Sequence, residues 1–246
     1  MELSLVRNKS SKLIAKCNNV NVYINETDKI YDKRCRSLST DGKFTLVPSI
    51  EKGQRLAVYI SGVSGSGKST ACANYIKDLL KIPQFSKYPV YMLTWSKIAD
   101  SAFKDIESFT SVNIRDPNYL DLDITMFAKS IVVFDDWTTI SDKDIEKKTI
   151  SLVNELLENS RKQSTIIFVI NHQTQNYSKT KNIIFECSQY VLFPTYNYNA
   201  TVKFLRSYLD IDKEIEEKIK RFTSRVIYVN KIAPRYLISD NEILLL

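Results

Sequence analysis

Histidine is nearly missing from this 246-residue chain, which has one, at position 172. Cysteine is sparse and scattered. Cys17, Cys35, Cys72 and Cys187 include no C-x-x-C pair, which argues against a zinc site or a disulfide framework and makes a reducing, intracellular setting the expectation. No segment holds the roughly 18 continuous apolar residues needed to span a bilayer. The first twenty residues are too polar and charged to read as a signal peptide. Internal repeats and low-complexity tracts are absent as well. These absences together point to a soluble protein with no membrane span.

Apolar residues make up 43% of the chain, ample for a core, so the length suits one α/β domain with additions or with a small appendage. Lysine and arginine number 35 against 28 acidic residues, a formal charge of +7 that is spread along the chain and not gathered in one tail. Such a surplus is compatible with a polyanionic partner and equally with ordinary solvated faces.

The densest information lies at residues 62 to 69, Gly62-Val63-Ser64-Gly65-Ser66-Gly67-Lys68-Ser69, which satisfy G-x-x-x-x-G-K-[ST] at every fixed position. Glycines let successive backbone N–H groups turn inward around an anion, the Lys68 ammonium can reach the terminal phosphates, and the Ser69 hydroxyl can ligate Mg²⁺. Leu56 to Ile60 ahead of the loop is a short, partly β-branched apolar run, and Thr70 to Leu80 behind it contains no Gly or Pro. That strand–loop–helix context predicts a site for a nucleoside triphosphate, with ATP and Mg²⁺ as the expected cofactors and Thr70 closing the binding segment.

From Leu56 onward, short apolar strands (Val90 to Trp95, Ile131 to Phe134, Thr165 to Ile170, Tyr190 to Phe193) alternate with longer charged or helical stretches. The alternation predicts an α/β fold with a mainly parallel sheet flanked by helices. Three segments follow: a β-rich or flexible lead-in over 1–55 with eleven Lys/Arg against six Asp/Glu, a core over 56–200, and a helical and β extension over 201–246. Apolar residues at helical spacing between Ser141 and Gln163, with Ser141 and Asp142 available as N-caps, predict a long helix that brings Arg161 close to the start of the next strand.

Ser130 to Asp136 reads as an apolar strand ending in two carboxylates. Asp135 is expected in the Mg²⁺ shell, and Asp136 is placed to polarise an attacking water. The intervening strand and the extra acid suit a P-loop NTPase of the additional-strand, catalytic-acid type, in which the two motif strands are not sheet neighbours. Strand Thr165 to Ile170 ends in Asn171, His172 and Gln173, and because parallel strands end on one side of a sheet these groups are expected near the γ-phosphate. A lone histidine at a strand end is more often a structural hydrogen-bonder than a catalyst; His172 is ranked first as the sensor, with Asn171 and Gln173 beside it. Arg161 reads two ways, as an arginine finger acting on a neighbouring subunit or as a cation favoured by the end of its own helix.

The phosphate loop, Val132-Val133-Phe134-Asp135-Asp136, Glu158-Asn159-Ser160-Arg161 and Ile170-Asn171-His172-Gln173 together resemble the P-loop ATPases of large DNA viruses grouped with the FtsK–HerA genome-packaging and DNA-translocating motors. The resemblance covers about residues 56 to 195. Where that family has a Gly-Arg-His type element, this chain has Ser160-Arg161-Lys162. The resemblance implies an ATP hydrolase working as a homo-oligomeric ring on double-stranded DNA, with capsid proteins as further partners and the host cytoplasm, viral factory or virion as its place. The basic lead-in and a C-terminal third with nine Lys/Arg against five Asp/Glu between 201 and 235 could line a DNA channel. A nucleotide-gated assembly protein and a small-molecule kinase are the other classes open to such a loop. The acid pair speaks against the first, and the lack of an arginine between Gln173 and Arg206 against the second.

Overall fold

A computed structural model of the chain describes residues 1–26, 36–48, 50, 55–98, 100–172 and 177–246. The chain forms two compact units, one made of Met1–Ser49 with Gln189–Leu246, the other of Ile50–Ser188. The lead-in and the C-terminal extension read separately from the sequence therefore belong to one unit, and strand Gln189–Leu192, assigned to the core on sequence grounds, goes with them.

The N-terminal segment contributes β1 (Glu2–Ser4), β2 (Lys12–Cys17), β3 (Val20–Asn25), β4 (Ser37–Ser39) and β5 (Phe44–Leu46). Despite the polar composition, apolar residues recur inside it: Ile14, Ala15, Val22 and Ile24 are all buried. β2 and β3 pair antiparallel through a two-residue turn, Asn18-Asn19, both with positive φ. Asparagine tolerates that left-handed backbone, whose twist matches the flanking strands. The resulting sheet runs β1-β3-β2-β5.

The second unit holds β6 (Ala57–Ser61), α1 (Lys68–Leu80), β7 (Val90–Thr94), β8 (Phe109–Asn113), β9 (Ile131–Asp135), α2 (Lys143–Gln163), β10 (Ile166–Asn171) and α3 (Tyr177–Glu186). Its strands are all parallel, in the order β6-β10-β9-β7-β8. Every residue of β6, β9 and β10 is buried, the pattern of strands covered on both faces. The phosphate-loop strand β6 and the acid strand β9 are separated by β10, the arrangement expected for the additional-strand type. β8 is the edge strand and is mostly solvent-facing, which explains why its sequence signal is weak.

Local chemistry accounts for the helices. Gly67, at φ 101°, forms the N-terminal boundary of α1, so Lys68 and Ser69 are its first residues and their N–H groups stand without intrahelical partners. Along α1, Cys72, Tyr75, Ile76 and Leu79 form the buried stripe, and Tyr75 meets Phe168 of β10 edge to face at 5.4 Å. Asp142 caps α2 by accepting from the Asp144 and Ile145 N–H groups, with acids in the first turn and Arg161 and Lys162 in the last, each favoured by the helix dipole. Arg55 ties the unit together at the opposite edge, donating to the Leu157 and Glu186 carbonyls and to the Glu186 carboxylate.

The C-terminal segment adds β11 (Gln189–Leu192), α4 (Tyr198–Leu209), α5 (Lys213–Lys220), β12 (Ile227–Asn230), β13 (Tyr236–Ile238) and β14 (Glu242–Leu245). What reads as one amphipathic segment from Thr201 to Phe222 is broken at Asp210, whose φ of 53° ends α4, and restarted by Asp212, which caps α5. β11, β12, β13, β14 and β4 pair antiparallel in that order. Ile14, Ala15, Val22, Ile24 and Phe44 of the N-terminal sheet share one apolar core with Tyr236, Ile238, Ile243 and Leu245. The basic lead-in is thus half of a β-rich unit and not a free arm.

Ile14→Ala tests that conclusion. Ile14 is fully buried in the shared core, so its truncation is expected to lower the unfolding free energy by about 2 to 4 kcal/mol. Denaturant titration would read the loss, and a change below about 0.5 kcal/mol would mean that the lead-in is not folded against the C-terminal strands.

Candidate functional site

Strand register sets the site. Ser61 of β6 lies opposite Asn171 of β10, and Asp135 of β9 opposite Thr94 of β7, so four polar residues close the apolar strands along one carboxyl edge. The phosphate loop leaves β6 at that edge, and the Gly62 N–H donates to the Asn171 carbonyl at 3.3 Å. Gly65 and Gly67 have φ of 74° and 101°, a backbone in which L side chains are strained. A Cβ built on Gly65 would meet nothing within 4 Å, so the loop opens onto free space there. Val63, Ser64 and Thr70 are exposed around the rim, while Ser66 and Lys68 are buried.

Lys68 is 6% exposed. Its Nζ donates to the Val63 carbonyl at 3.0 Å and lies 3.2 Å from His172 Nδ1. Burial pulls its pKa down, while the nearby Asp135 and Asp136 charges oppose the fall. On the other side of the ring, His172 Nε2 lies 2.8 Å from Asp136 Oδ1. Asp136 occupies a left-handed backbone, φ 54° and ψ 15°, and its carbonyl accepts from the Thr139 hydroxyl at 2.7 Å. Aspartate tolerates that conformation, and such outliers gather at functional sites. Lys68, His172 and Asp136 therefore form one continuous run of contacts from the phosphate loop to the second acid.

Asp135 is the most perturbed acid of the group. Burial above all, then the charges of Asp136 and Asp100, push its carboxyl up to about 6, with His172 opposing. Asp100 caps a short helical turn at Ser101–Phe103, and nothing in its sequence neighbourhood marked it as part of the site. The hydroxyl of Ser69 and the carboxylate of Asp135 are hard oxygen donors of the kind magnesium takes. Among the described residues no cluster of three or more His, Cys, Asp or Glu could hold a metal unaided. Magnesium commonly binds through one or two protein oxygens and draws its remaining ligands from phosphate and water, and these two oxygens suit that role. The residues present are therefore suited to a magnesium–nucleotide pair, which would neutralise the buried carboxylate and engage the buried ammonium together.

Two expected site residues fall elsewhere. Asn171 is 1% exposed, and its amide does not point to the loop: Nδ2 donates to the Tyr59 hydroxyl at 3.0 Å and Oδ1 accepts from Thr138 at 3.5 Å. It ties the strand behind the loop to the turn that carries Asp136. Tyr59 was overlooked in the sequence, although a hydroxyl inside an otherwise apolar buried strand was the available signal. Arg161 is exposed at the C-terminal end of α2, next to the start of β10, so the length of that six-residue strand, about 20 Å, lies between it and the carboxyl edge. It takes no part in the site of its own chain. Gln173 lies outside the described residues.

The raised Asp135 carboxyl has a measurable consequence. An acid whose folded pKa is raised gives stability that is complete below its unfolded value, near 4, and lost as pH climbs through about 6. Asp135→Asn removes the charged form, so in EDTA the variant is expected to be more stable than the parent at pH 8, by up to about 2 to 3 kcal/mol, with the gap closing near pH 4. Thermal unfolding across that range checks the sign; a variant less stable at pH 8 would contradict it.

No protein-family model matches the chain. It is 30% identical over 244 residues to "Uncharacterized protein V3" of Sputnik virophage, with 95% of each chain covered. Among solved structures, the pCW3 conjugation coupling protein TcpA, in its monomer form with ATPγS, superposes with a TM-score of 0.55 at 12% identity, covering 94% of this chain and 77% of that one. The cytoplasmic domain of the Thermomonospora curvata Type VII secretion ATPase EccC gives a TM-score of 0.54 at 11% identity, covering 83% of this chain and 28% of that one. The chain accordingly belongs to the family of Sputnik virophage protein V3, and its fold is a P-loop NTPase fold shared with that coupling protein.

Proposed function

We propose that the protein hydrolyses ATP with magnesium and uses the reaction to move double-stranded DNA, as a homo-oligomeric ring that packages a viral genome into its capsid. The observation that carries the hydrolytic part is the run Lys68–His172–Asp136 beside the buried Asp135. A site that only held nucleotide would need the loop and the metal acid, but not a second carboxylate oriented by an imidazole. In this reading the backbone of Gly62 to Thr70 cradles the phosphates, Lys68 neutralises them, and Ser69 and Asp135 hold the magnesium ion. Asp136 and His172 form the water-activating pair.

The translocation part draws its support from different facts. The formal charge of +7 suits sequence-neutral contact with a phosphate backbone. The relative is a virus-encoded protein, and the fold is shared with a conjugation coupling protein and a secretion ATPase. Arg161, exposed and remote from its own phosphate loop, suits a finger reaching the nucleotide of a neighbouring subunit, which calls for a ring. Host cytoplasm, viral factory or virion is the setting that accords with this work. No helix among the described residues is long and apolar enough to cross a membrane.

Steady-state hydrolysis tests both parts. Lys68→Ala is expected to abolish turnover, and Asp136→Asn to keep ATPγS binding while losing at least about tenfold in kcat. Long double-stranded DNA should stimulate the parent at low salt and progressively less as salt rises. Slow hydrolysis indifferent to DNA would shift the reading to a nucleotide-gated assembly protein.

For Arg161→Ala the expected result is lost turnover with intact binding, partly restored when the variant is mixed with Asp136→Asn subunits, because each then supplies what the other lacks. Absence of restoration would reduce Arg161 to a cation at the end of its own helix.

A further inference from the structure

We infer that Arg115 and Trp95 form a contact for the phosphate backbone of nucleic acid, set at the carboxyl edge of the sheet beside the two acids. The inference rests on the reading of double-stranded DNA as the partner and names a surface that meets it.

Three neighbouring strands build that surface. β8, β7 and β9 lie side by side and parallel, so their ends open onto one edge. Thr94 closes β7 opposite Asp135, and Trp95 follows it by one residue. Arg115 comes two residues after β8, on a backbone pinned by the Ile114 N–H, which donates to the Thr94 carbonyl at 3.2 Å, and by its own N–H, which donates to Asn113 Oδ1 at 3.0 Å. Its side chain then folds back onto β7. Nε donates to the Trp95 carbonyl at 3.0 Å, and the guanidinium lies over the indole, 4.2 Å from the ring centroid.

An exposed arginine ordinarily samples many rotamers, and holding it in one costs entropy that must be recovered from its contacts. Here the carbonyl and the indole hold it, and they use only Nε and one face of the guanidinium. The two terminal amino groups are left over, and among the described residues Arg115 makes no ion pair. Asp116, next in the chain, does not take them, because its carboxylate caps the following turn by accepting from the Asn118 N–H at 2.9 Å. A guanidinium fixed in this way on an exposed residue is a planar fork already oriented for bidentate binding of phosphate oxygens.

Lys97, exposed two residues past Trp95, adds a second cation to the same loop. Two cations beside a partly exposed indole suit a run of phosphates along a polymer better than a single carboxylate, and the formal charge of +7 attracts such a polymer as a whole. The contact also adjoins the hydrolytic site. A load on Trp95 bears on β7, which is paired with β9 from Val90 to Thr94 and ends against Asp135.

Hydrolysis and DNA binding by the full chain test the inference. Without DNA, Arg115→Ala is expected to hydrolyse ATP within about twofold of the parent, while its stimulation by long double-stranded DNA falls by at least about fivefold. The slope of log affinity for DNA against log salt should become shallower by about 1. Arg115→Lys keeps the charge without the fork and should recover only part of the loss. The chain has two tryptophans, Trp95 and the buried Trp137, so DNA added without nucleotide should change the indole fluorescence of the parent and leave that of Trp95→Phe unchanged. An Arg115→Ala variant bound and stimulated like the parent, or a fluorescence change that persists in full in Trp95→Phe, would overturn the inference and leave the DNA reading standing. So would unaltered DNA affinity with weakened self-association in sedimentation, which assigns the guanidinium to a carboxylate of a second copy. Loss of DNA-free hydrolysis in Arg115→Ala would overturn it as well, by making the residue part of the site or the fold. A parent that neither binds DNA nor responds to it would overturn the inference and the translocation reading together.

Discussion

The site is organised around a buried ammonium in an unfavourable place. Lys68 is almost wholly withdrawn from water and stands in the first turn of α1, where the helix dipole is positive and disfavours a cation. Among the described residues, a carbonyl, an imidazole and the field of two acids support it. Two strands along the sheet from the loop strand, Asp135 has the opposite problem, a carboxylate raised first by its burial and then by neighbouring acids. One charge asks for an anion and the other for a cation. The proposed magnesium-bound triphosphate would answer both, its oxygens taking the ammonium and its metal the carboxylate. Those opposed demands are the ground for the proposed preference for a metal-bound nucleotide.

The rest of the second unit keeps those opposed charges at a fixed separation. Strands β6, β10, β9 and β7 are parallel and in register, so their polar ends line up on one edge without any need for a long loop to bring them together. Inserting β10 between the loop strand and the acid strand has a chemical result: its last residues fall between Lys68 and Asp136, and His172 fills that gap. Behind it, the buried amide of Asn171 joins Tyr59 to the turn after Asp136, so the loop strand, the histidine strand and the acid turn share hydrogen bonds.

Much of this was legible in the residues. The phosphate loop is read from backbone demands that only glycine meets at Gly65 and Gly67, and α2 from the apolar spacing of Val153, Leu156 and Leu157 behind an Asp142 cap. The strands of the core were visible because strands covered on both faces are nearly continuous apolar runs. The N-terminal segment was opaque for the reverse reason. Its strands are short, and Lys12, Lys16 and Asn21 interrupt the buried Ile14, Ala15 and Val22 and dilute the signal. Its partner strands lie some two hundred residues further along, which no local pattern reports. The role of Asn171 was misjudged because strand-end position tells which edge a residue reaches, not which way its side chain turns. Asp100 acts through space from a loop, and sequence spacing carries no trace of that.

The measurement that bears most directly on the account is calorimetric binding of ATPγS to the parent and to Asp135→Asn, each with magnesium and with EDTA. If the paired buried charges define the site, magnesium should tighten binding to the parent by at least about tenfold, and the gain should vanish in the variant. Affinity in the parent that ignores magnesium, or a variant that keeps the full gain, would contradict the claim that Asp135 and Lys68 together select a metal-bound triphosphate.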